Sequence, residues 1–530
     1  MKVAHKKNPW GLDTIAAAFT AALLLSSCGG GGGGGGGSAA VSSTPPAQTP
    51  TPPSTVAGAF DDSNTYDSSA TGSLAAPNES AAVIASHIQL NGKQFDYTAT
   101  SGHLTATDAQ TGKSASLFYV AYTTAAADPA QRPLTFFYNG GPGSASLWLH
   151  LGSFGPRRLV STIPSATIAP AQLVDNQETL LANSDLVFID AVGTGYSQAI
   201  APSANADFWS VDKDAASFRD FVLRYIAVNK RGASPKYLYG ESYGAPRTAV
   251  LANLLETAGV QLNGIMLQSS IMNYNSNCGV LDPGVIGCEG YVPSYAAIGA
   301  YYQRSTPSIP ADFGAYVQQA RAFADGDYHA AMTAWLASKA TAPAGVFTQL
   351  VNFTGIPTAV WLQNFDLGPD KFQSAVLPGQ LVGRYDARVS AGANSGLAAG
   401  GDPSLAVVND NFVSTISSYV AGELHYTARS GYVAFVDIVN RWNFSHDGKG
   451  LPDTVPDLAA ALAQNPGLKV LSLNGYDDLA TPFHQTELDL GRLGASQPVS
   501  YKYYSSGHMI YLDDIARRAQ QLDLINFYLH

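Results

Sequence analysis

Residues 235–257 read Pro-Lys-Tyr-Leu-Tyr-Gly-Glu-Ser-Tyr-Gly-Ala-Pro-Arg-Thr-Ala-Val-Leu-Ala-Asn-Leu-Leu-Glu-Thr. The first five residues are β-prone. After the bend, Val250, Leu251, Leu254 and Leu255 recur at helical spacing, and Gly259 is placed as a C-cap. Between them, Gly240-Glu241-Ser242-Tyr243-Gly244 has the form G-x-S-x-G. A strand that turns straight into a helix leaves no room for Cβ atoms on either side of the bend. The serine is then held in a strained turn with its hydroxyl pointing outward, as a nucleophile requires. The pattern alone is weak in a chain rich in Gly and Ser, so its flanks and partners have to decide it.

Working outward, the chain of 530 residues is long enough for one large α/β domain with an insertion, or for two domains. Apolar residues make up 46 %, so a sizeable core is within reach. Charged residues are only 13 % and the net charge is −11, which argues against a nucleic-acid partner, since that would want a basic stripe. Of three cysteines, Cys278 and Cys288 bracket a Gly/Pro-containing loop and are expected to pair if the chain is exported. Neither has a second cysteine or a histidine at ligand spacing, so no metal and no other cofactor is expected.

The N-terminus reads as a targeting segment. Lys2, Lys6 and Lys7 precede an apolar run at 15–25, shorter than the about 20 residues a membrane-spanning helix needs. The run ends Leu25-Ser26-Ser27-Cys28 and resembles a bacterial lipoprotein signal, in which cleavage precedes the cysteine and the cysteine carries lipid. Gly29 follows in place of Asp, which by the pattern of such signals leans toward the outer membrane. The chain is therefore expected to be exported and lipid-anchored at Cys28 to the bacterial cell envelope, facing the periplasm or the surface. Residues 29–80 open with nine glycines and continue in Ser, Thr, Pro and Ala, a composition that reads as a flexible tether.

From about residue 84 the pattern turns to strands. Short β-rich stretches at 87–90, 94–98, 103–107 and 116–122, separated by Asn91-Gly92 and Thr111-Gly112, suggest an antiparallel lead-in. Buried-strand candidates follow at 133–138, 185–190 and 263–268, with a helix at 211–227. The first of these strands runs into Asn139-Gly140-Gly141-Pro142-Gly143-Ser144, a turn whose backbone N–H groups could approach an oxyanion closely. Residues 273–440 break the alternation and read as an insertion capping the site, with helices near 311–338 and 346–353. Alternation resumes with a helix at 457–464, strands at 468–473 and 499–504, and a closing helix at 514–528. The expected domain plan is a core of 81–272 and 441–530 interrupted by that cap.

A serine hydroxyl needs a base, and the base needs an orienting acid. In α/β-hydrolases these follow the serine in the order acid, then histidine. The strand at 468–473 ends in Asn474-Gly475-Tyr476-Asp477-Asp478, and the last strand ends in Ser505-Ser506-Gly507-His508-Met509. Of His484, His508 and His530, only His508 lies in a loop just beyond a strand. Spacing alone does not separate Asp477 from Asp478.

Five blocks, NGGPGS at 139–144, VGTGYS at 192–197, GESYG at 240–244, GYDDLATP at 475–482 and GHM at 507–509, together resemble the serine carboxypeptidase family. The resemblance implies an α/β-hydrolase fold: a mostly parallel central sheet flanked by helices, with a largely helical cap insertion. It implies Ser242 as nucleophile, His508 as base and Asp478, three residues past the glycine, as acid. It implies backbone N–H groups of Gly141 and Tyr243 as oxyanion donors, and Asn139 with Glu241 as the pair that binds the substrate's C-terminal carboxylate. Two carboxyl groups pair only if one holds a proton, so the raised pKa this asks of Glu241 implies a preference for acidic pH. The expected activity is release of C-terminal amino acids from peptides through an acyl-enzyme. An esterase or acyltransferase on the same scaffold is the alternative, and a non-catalytic surface lipoprotein that binds peptide termini is a more distant one. Two departures touch the pocket: Phe137 stands where the family has Trp, and Ser144 where it often has Cys.

Overall fold

The computed structural model describes residues 55–125, 128–281, 284–495, 497 and 499–529. The signal segment, Cys28 and the glycine run lie outside these residues.

Eleven strands form one sheet. In chain order they are β1 (Thr55–Ala57), β2 (Ala81–Leu90), β3 (Lys93–Thr107), β4 (Ser114–Thr123), β5 (Leu134–Tyr138), β6 (Asp185–Ile189), β7 (Gln198–Ile200), β8 (Lys236–Glu241), β9 (Gly264–Gln268), β10 (Lys469–Gly475) and β11 (Val499–Tyr504). The spatial order is β1-β2-β3-β4-β6-β5-β8-β9-β10-β11, with β7 alongside β4. From β6 to β11 all neighbours run parallel. β2, β3, β4 and β6 pair antiparallel and make the expected lead-in. The stretches read separately at 94–98 and 103–107 are one strand of 15 residues, because Ala99 to Gly102 continue the pairing with both β2 and β4.

Side chains alternate across the strands, so the sheet divides two cores. Phe137 of β5 stacks between Phe188 and Tyr239 on one face, at 4.9 Å from each ring. Its neighbours Phe136 and Tyr138 face the other way and join Leu238 and the helix Val211–Val228. Every residue of β5, β6, β8 and β9 is buried, as strands covered on both faces must be. The helices Gly244–Thr257 and Val455–Gln464 cover the same face as Val211–Val228.

The expected insertion has two parts. Helices Val292–Tyr301, Phe313–Phe323, His329–Ser338, Ala344–Thr354 and Thr358–Gln363 gather around their own core, which includes Trp361, Phe372 and the disulfide Cys278–Cys288, whose Cα atoms are 5.4 Å apart. The later helix Pro403–Gly422 instead lays Val408, Phe412 and Tyr419 on the main core beside Leu147–Gly152.

The structure departs from the tether expected as far as residue 80. Phe60–Asp62 pairs with Tyr426–Ala428, and Tyr66 and Leu74 are buried in the main core. The hydroxyls of Tyr66 and Tyr426 both donate to the buried carboxylate of Asp62, at 2.5 and 2.6 Å. A few well-placed anchors hold this segment despite its low apolar content.

Candidate active site

The parallel strands deliver the candidate residues because their C-terminal ends lie side by side. Glu241 ends β8 and Ser242 follows it with φ +60°, a left-handed conformation that a non-glycine residue adopts only under constraint. The constraint is visible. Ser242 N donates to Gln268 O at 3.0 Å, and Ala245 N donates back to Ser242 O at 2.9 Å, closing the turn into Gly244–Thr257. A Cβ at Gly240 would lie 2.3 Å from Gly244 O and 2.3 Å from Thr248 Oγ1, so the first glycine of the motif is sterically required.

His508 follows β11. Its Nδ1 is 2.8 Å from Asp478 Oδ2, and both side chains are buried. Asp478 is held in turn by the amides of Ala480 and Thr481, at 2.7 and 3.0 Å, and by Thr481 Oγ1 at 2.8 Å. Burial alone lowers the His508 pKa, but the charge and hydrogen bond of Asp478, aided by Glu241, outweigh it and leave the imidazole raised. Its other nitrogen, Nε2, is buried with no hydrogen-bond partner among the described residues. His508 O accepts from Ser269 Oγ at 2.6 Å, its amide donates to Tyr385 O at 2.6 Å, and the Tyr385 ring packs edge-on at 4.8 Å. The ring is thus fixed from three elements, one of them in the insertion.

Asp477, inseparable from Asp478 by spacing, points elsewhere. Its carboxylate lies 3.8 Å from Arg388 Nε, and burial raises its pKa to about 7. Arg388 is paired more closely with Asp386 and Asp513, at 2.7 and 3.0 Å. His484 is also remote from this chemistry, its two nitrogens bound by Glu487 and Asp325.

Asn139 and Glu241 meet beside the bend. Asn139 Nδ2 donates to Glu241 Oε1 at 2.8 Å, and Gln268 Nε2 donates to Oε2 at 2.8 Å. Asn139 Oδ1 accepts from Leu149 N at 3.0 Å, which fixes the orientation of the amide. Burial raises the Glu241 pKa to about 7, against the lowering effects of His508 and of Asn139. A Cβ at Gly140 would sit 2.5 Å from Tyr243 N, so the glycine-rich turn lies directly against the backbone that carries one expected oxyanion donor. Gly141, with the other, follows immediately at φ +108°.

The structure therefore brings Ser242, Asp478, His508, Asn139, Glu241, Gly141 and Tyr243 to one end of the sheet. Sequence reasoning passed over Gln268, Thr481 and Tyr385. Gln268 ends β9 next to Glu241 in the β8/β9 register, a neighbour that only the folded sheet reveals.

Residues 90–283 match the family described as serine carboxypeptidase. The similarity to that family extends over this segment of the chain. Among curated proteins, it is 30 % identical over 168 residues to the pheromone-processing carboxypeptidase KEX1 of Cryptococcus gattii, covering 30 % of this chain and 23 % of that protein. It is 28 % identical over 145 residues to serine carboxypeptidase-like 33 of Arabidopsis thaliana, covering 26 % of this chain and 28 % of that one. The matches thus span about a quarter of the length of these relatives. The crystal structure of KEX1(delta)p, a prohormone-processing carboxypeptidase from Saccharomyces cerevisiae, superposes with a TM-score of 0.51 at 16 % identity, covering 82 % of this chain and 91 % of that one, which shows a shared fold. The family segment holds Asn139, Gly141, Glu241 and Ser242. Asp478 and His508 lie beyond it, and it is their 2.8 Å contact that joins them to it. Phe137, at the position where the resemblance led one to expect Trp, stacks on Phe188 and Tyr239.

Proposed function

We propose that this protein is a serine-type carboxypeptidase that releases C-terminal amino acids from peptides and works best at acidic pH. The observation that carries the reading is the buried Asn139–Glu241 pair, set one residue from the strained Ser242. In this reading Ser242 Oγ attacks the carbonyl of the last peptide bond and His508 Nε2 takes its proton. Asp478 holds the imidazole by Nδ1 and stabilises the imidazolium. The N–H groups of Gly141 and Tyr243 receive the oxyanion, each contributing roughly 10²–10³ in rate. His508 then protonates the leaving amino group, and water resolves the acyl-enzyme by the same steps.

Glu241 gives the reaction its direction along the peptide. A carboxyl group raised to about 7 is neutral below that pH and can donate its proton to the substrate's terminal carboxylate, while the Asn139 amide donates a second hydrogen bond. Above about pH 7 Glu241 ionises and repels the same carboxylate. On the acid side His508, whose pKa its neighbours raise, becomes protonated and cannot act as base, a limit that neutral Glu241 eases by no longer adding to that raise. The expected result is a fall in kcat/KM on the alkaline side for peptides with a free C-terminus. Glu241→Gln stays neutral and should flatten that fall, while an ester lacking a terminal carboxylate should show no such fall with either form. An unchanged alkaline fall in the Gln variant would remove Glu241 from this role. Turnover of esters with no peptide cleavage would favour the esterase or acyltransferase reading.

We propose also that residues 1–28 direct export and that Cys28 carries a lipid anchor at the outer membrane. The support is the short apolar run ending Leu25-Ser26-Ser27-Cys28-Gly29. Metabolic labelling with a radioactive fatty acid should mark the parent chain and spare Cys28→Ala; label retained by the variant would contradict the anchor.

A further inference from the structure

Arg247 lies in the first turn of Gly244–Thr257 and is completely buried. Its Nε donates to Asp214 Oδ2 at 2.7 Å, an acid on the neighbouring helix Val211–Val228. Its Nη1 donates at 2.6 Å to the carbonyl of Asn139, the first residue of the glycine-rich turn. The guanidinium plane is enclosed by aromatic rings: Phe218 at 4.4 Å, Tyr243 at 5.3 Å and Tyr138 at 5.5 Å. One cation thus touches the glycine-rich turn on one side and the Tyr243 side chain on the other. It is bonded to the turn that leads into Gly141 and packed on the side chain of Tyr243.

A buried charge costs several kcal/mol to desolvate, and two apolar residues of similar size often stabilise a fold as well or better. Stability is therefore a poor account of the pair, and its geometry suggests another. The Asn139 carbonyl and the Tyr243 ring follow adjacent strand ends that the Tyr138–Gly240 pairing and the Asn139–Glu241 hydrogen bond already hold side by side, and Arg247 adds a link between them beyond the last ladder pair. Arginine's rigid fork can bond Asp214 and the turn at once and stack on the ring, which the single ammonium of lysine cannot do. We infer that Arg247 is a positioning residue for catalysis: paired with Asp214, it sets the distance between the Asn139–Gly141 turn and the Ser242–Tyr243 elbow, and with it the fit of the oxyanion hole. The inference rests on the hydrolase reading of Ser242 but not on peptides as substrates.

The test uses the full chain, an activated acetyl ester, and titration of Ser242 with a fluorophosphonate so that kcat is expressed per competent site. Arg247→Lys keeps the charge and loses the fork. Arg247→Met with Asp214→Leu removes both charges while filling the space. Displacing catalytic groups by about 1 Å costs on the order of 10² in rate, so both variants should lose about 10–10²-fold in kcat with KM little changed and the melting temperature retained. A merely structural role would lower the number of titratable sites and leave kcat per site at the wild-type value, which would overturn the inference. So would loss of folding in both variants. If the parent chain shows neither Ser242-dependent turnover nor labelling, the hydrolase reading fails first and takes this inference with it.

Discussion

Ser242→Ala should lower kcat by about 10⁶-fold on both ester and peptide substrates, with no loss of melting temperature. The size follows from what the residue does in the proposed reaction: without Oγ there is no acyl-enzyme, and His508 has no hydroxyl to activate. The retained stability follows from the backbone. Serine and alanine both carry a Cβ, so the strain of φ +60° at this position is the same in either chain. The bend is held by main-chain bonds, Ser242 N to Gln268 O and Ala245 N to Ser242 O, which the substitution leaves alone. Thermal melting beside steady-state kinetics checks both halves. Residual activity within an order of magnitude of the parent would mean that another group is the nucleophile.

The second large effect separates two adjacent aspartates. Asp478→Asn should cost about 10⁴-fold in kcat, because an amide facing Nδ1 favours the wrong tautomer of His508 and cannot stabilise its cation. Asp478 Oδ2 is 2.8 Å from that nitrogen and the loop around it is rigidly bonded, so the fold should survive. Asp477→Asn should leave kcat near the parent value. Its carboxylate faces Arg388, which keeps its closer partners Asp386 and Asp513. Equal losses from both variants would show that the damage comes from the loop and not from the acid.

How much of this was legible in the sequence depends on the range of the signal. The elbow was, because strand propensity, two glycines and a helical repeat all lie within 23 residues and agree. The parallel strands were, because continuous apolar runs such as LTFFY and DLVFI bury both faces. Strand-end position together with chain order singled out His508. Asp478 needed either the family resemblance or the contact itself, since its neighbour Asp477 is also an aspartate at the same strand end. The N-terminal segment was not legible. Its anchor Asp62 is satisfied by Tyr426, 364 residues away, and no local composition announces such a partner. Gln268 and Arg247 are similar cases: each reads locally as an ordinary strand or helix residue, and its meaning lies in what folding places beside it.

The central claim is that the site removes C-terminal residues. Its most direct test offers the full chain an N-blocked dipeptide with a free carboxylate and the matching C-terminal amide at acidic pH, with Ser242→Ala alongside, and measures the amino acid or amino-acid amide released. The account predicts release from the free acid, little from the amide, and none with the Ser242 variant. Equal release from acid and amide would contradict it, because Asn139 and Glu241 would then have no part in choosing the substrate.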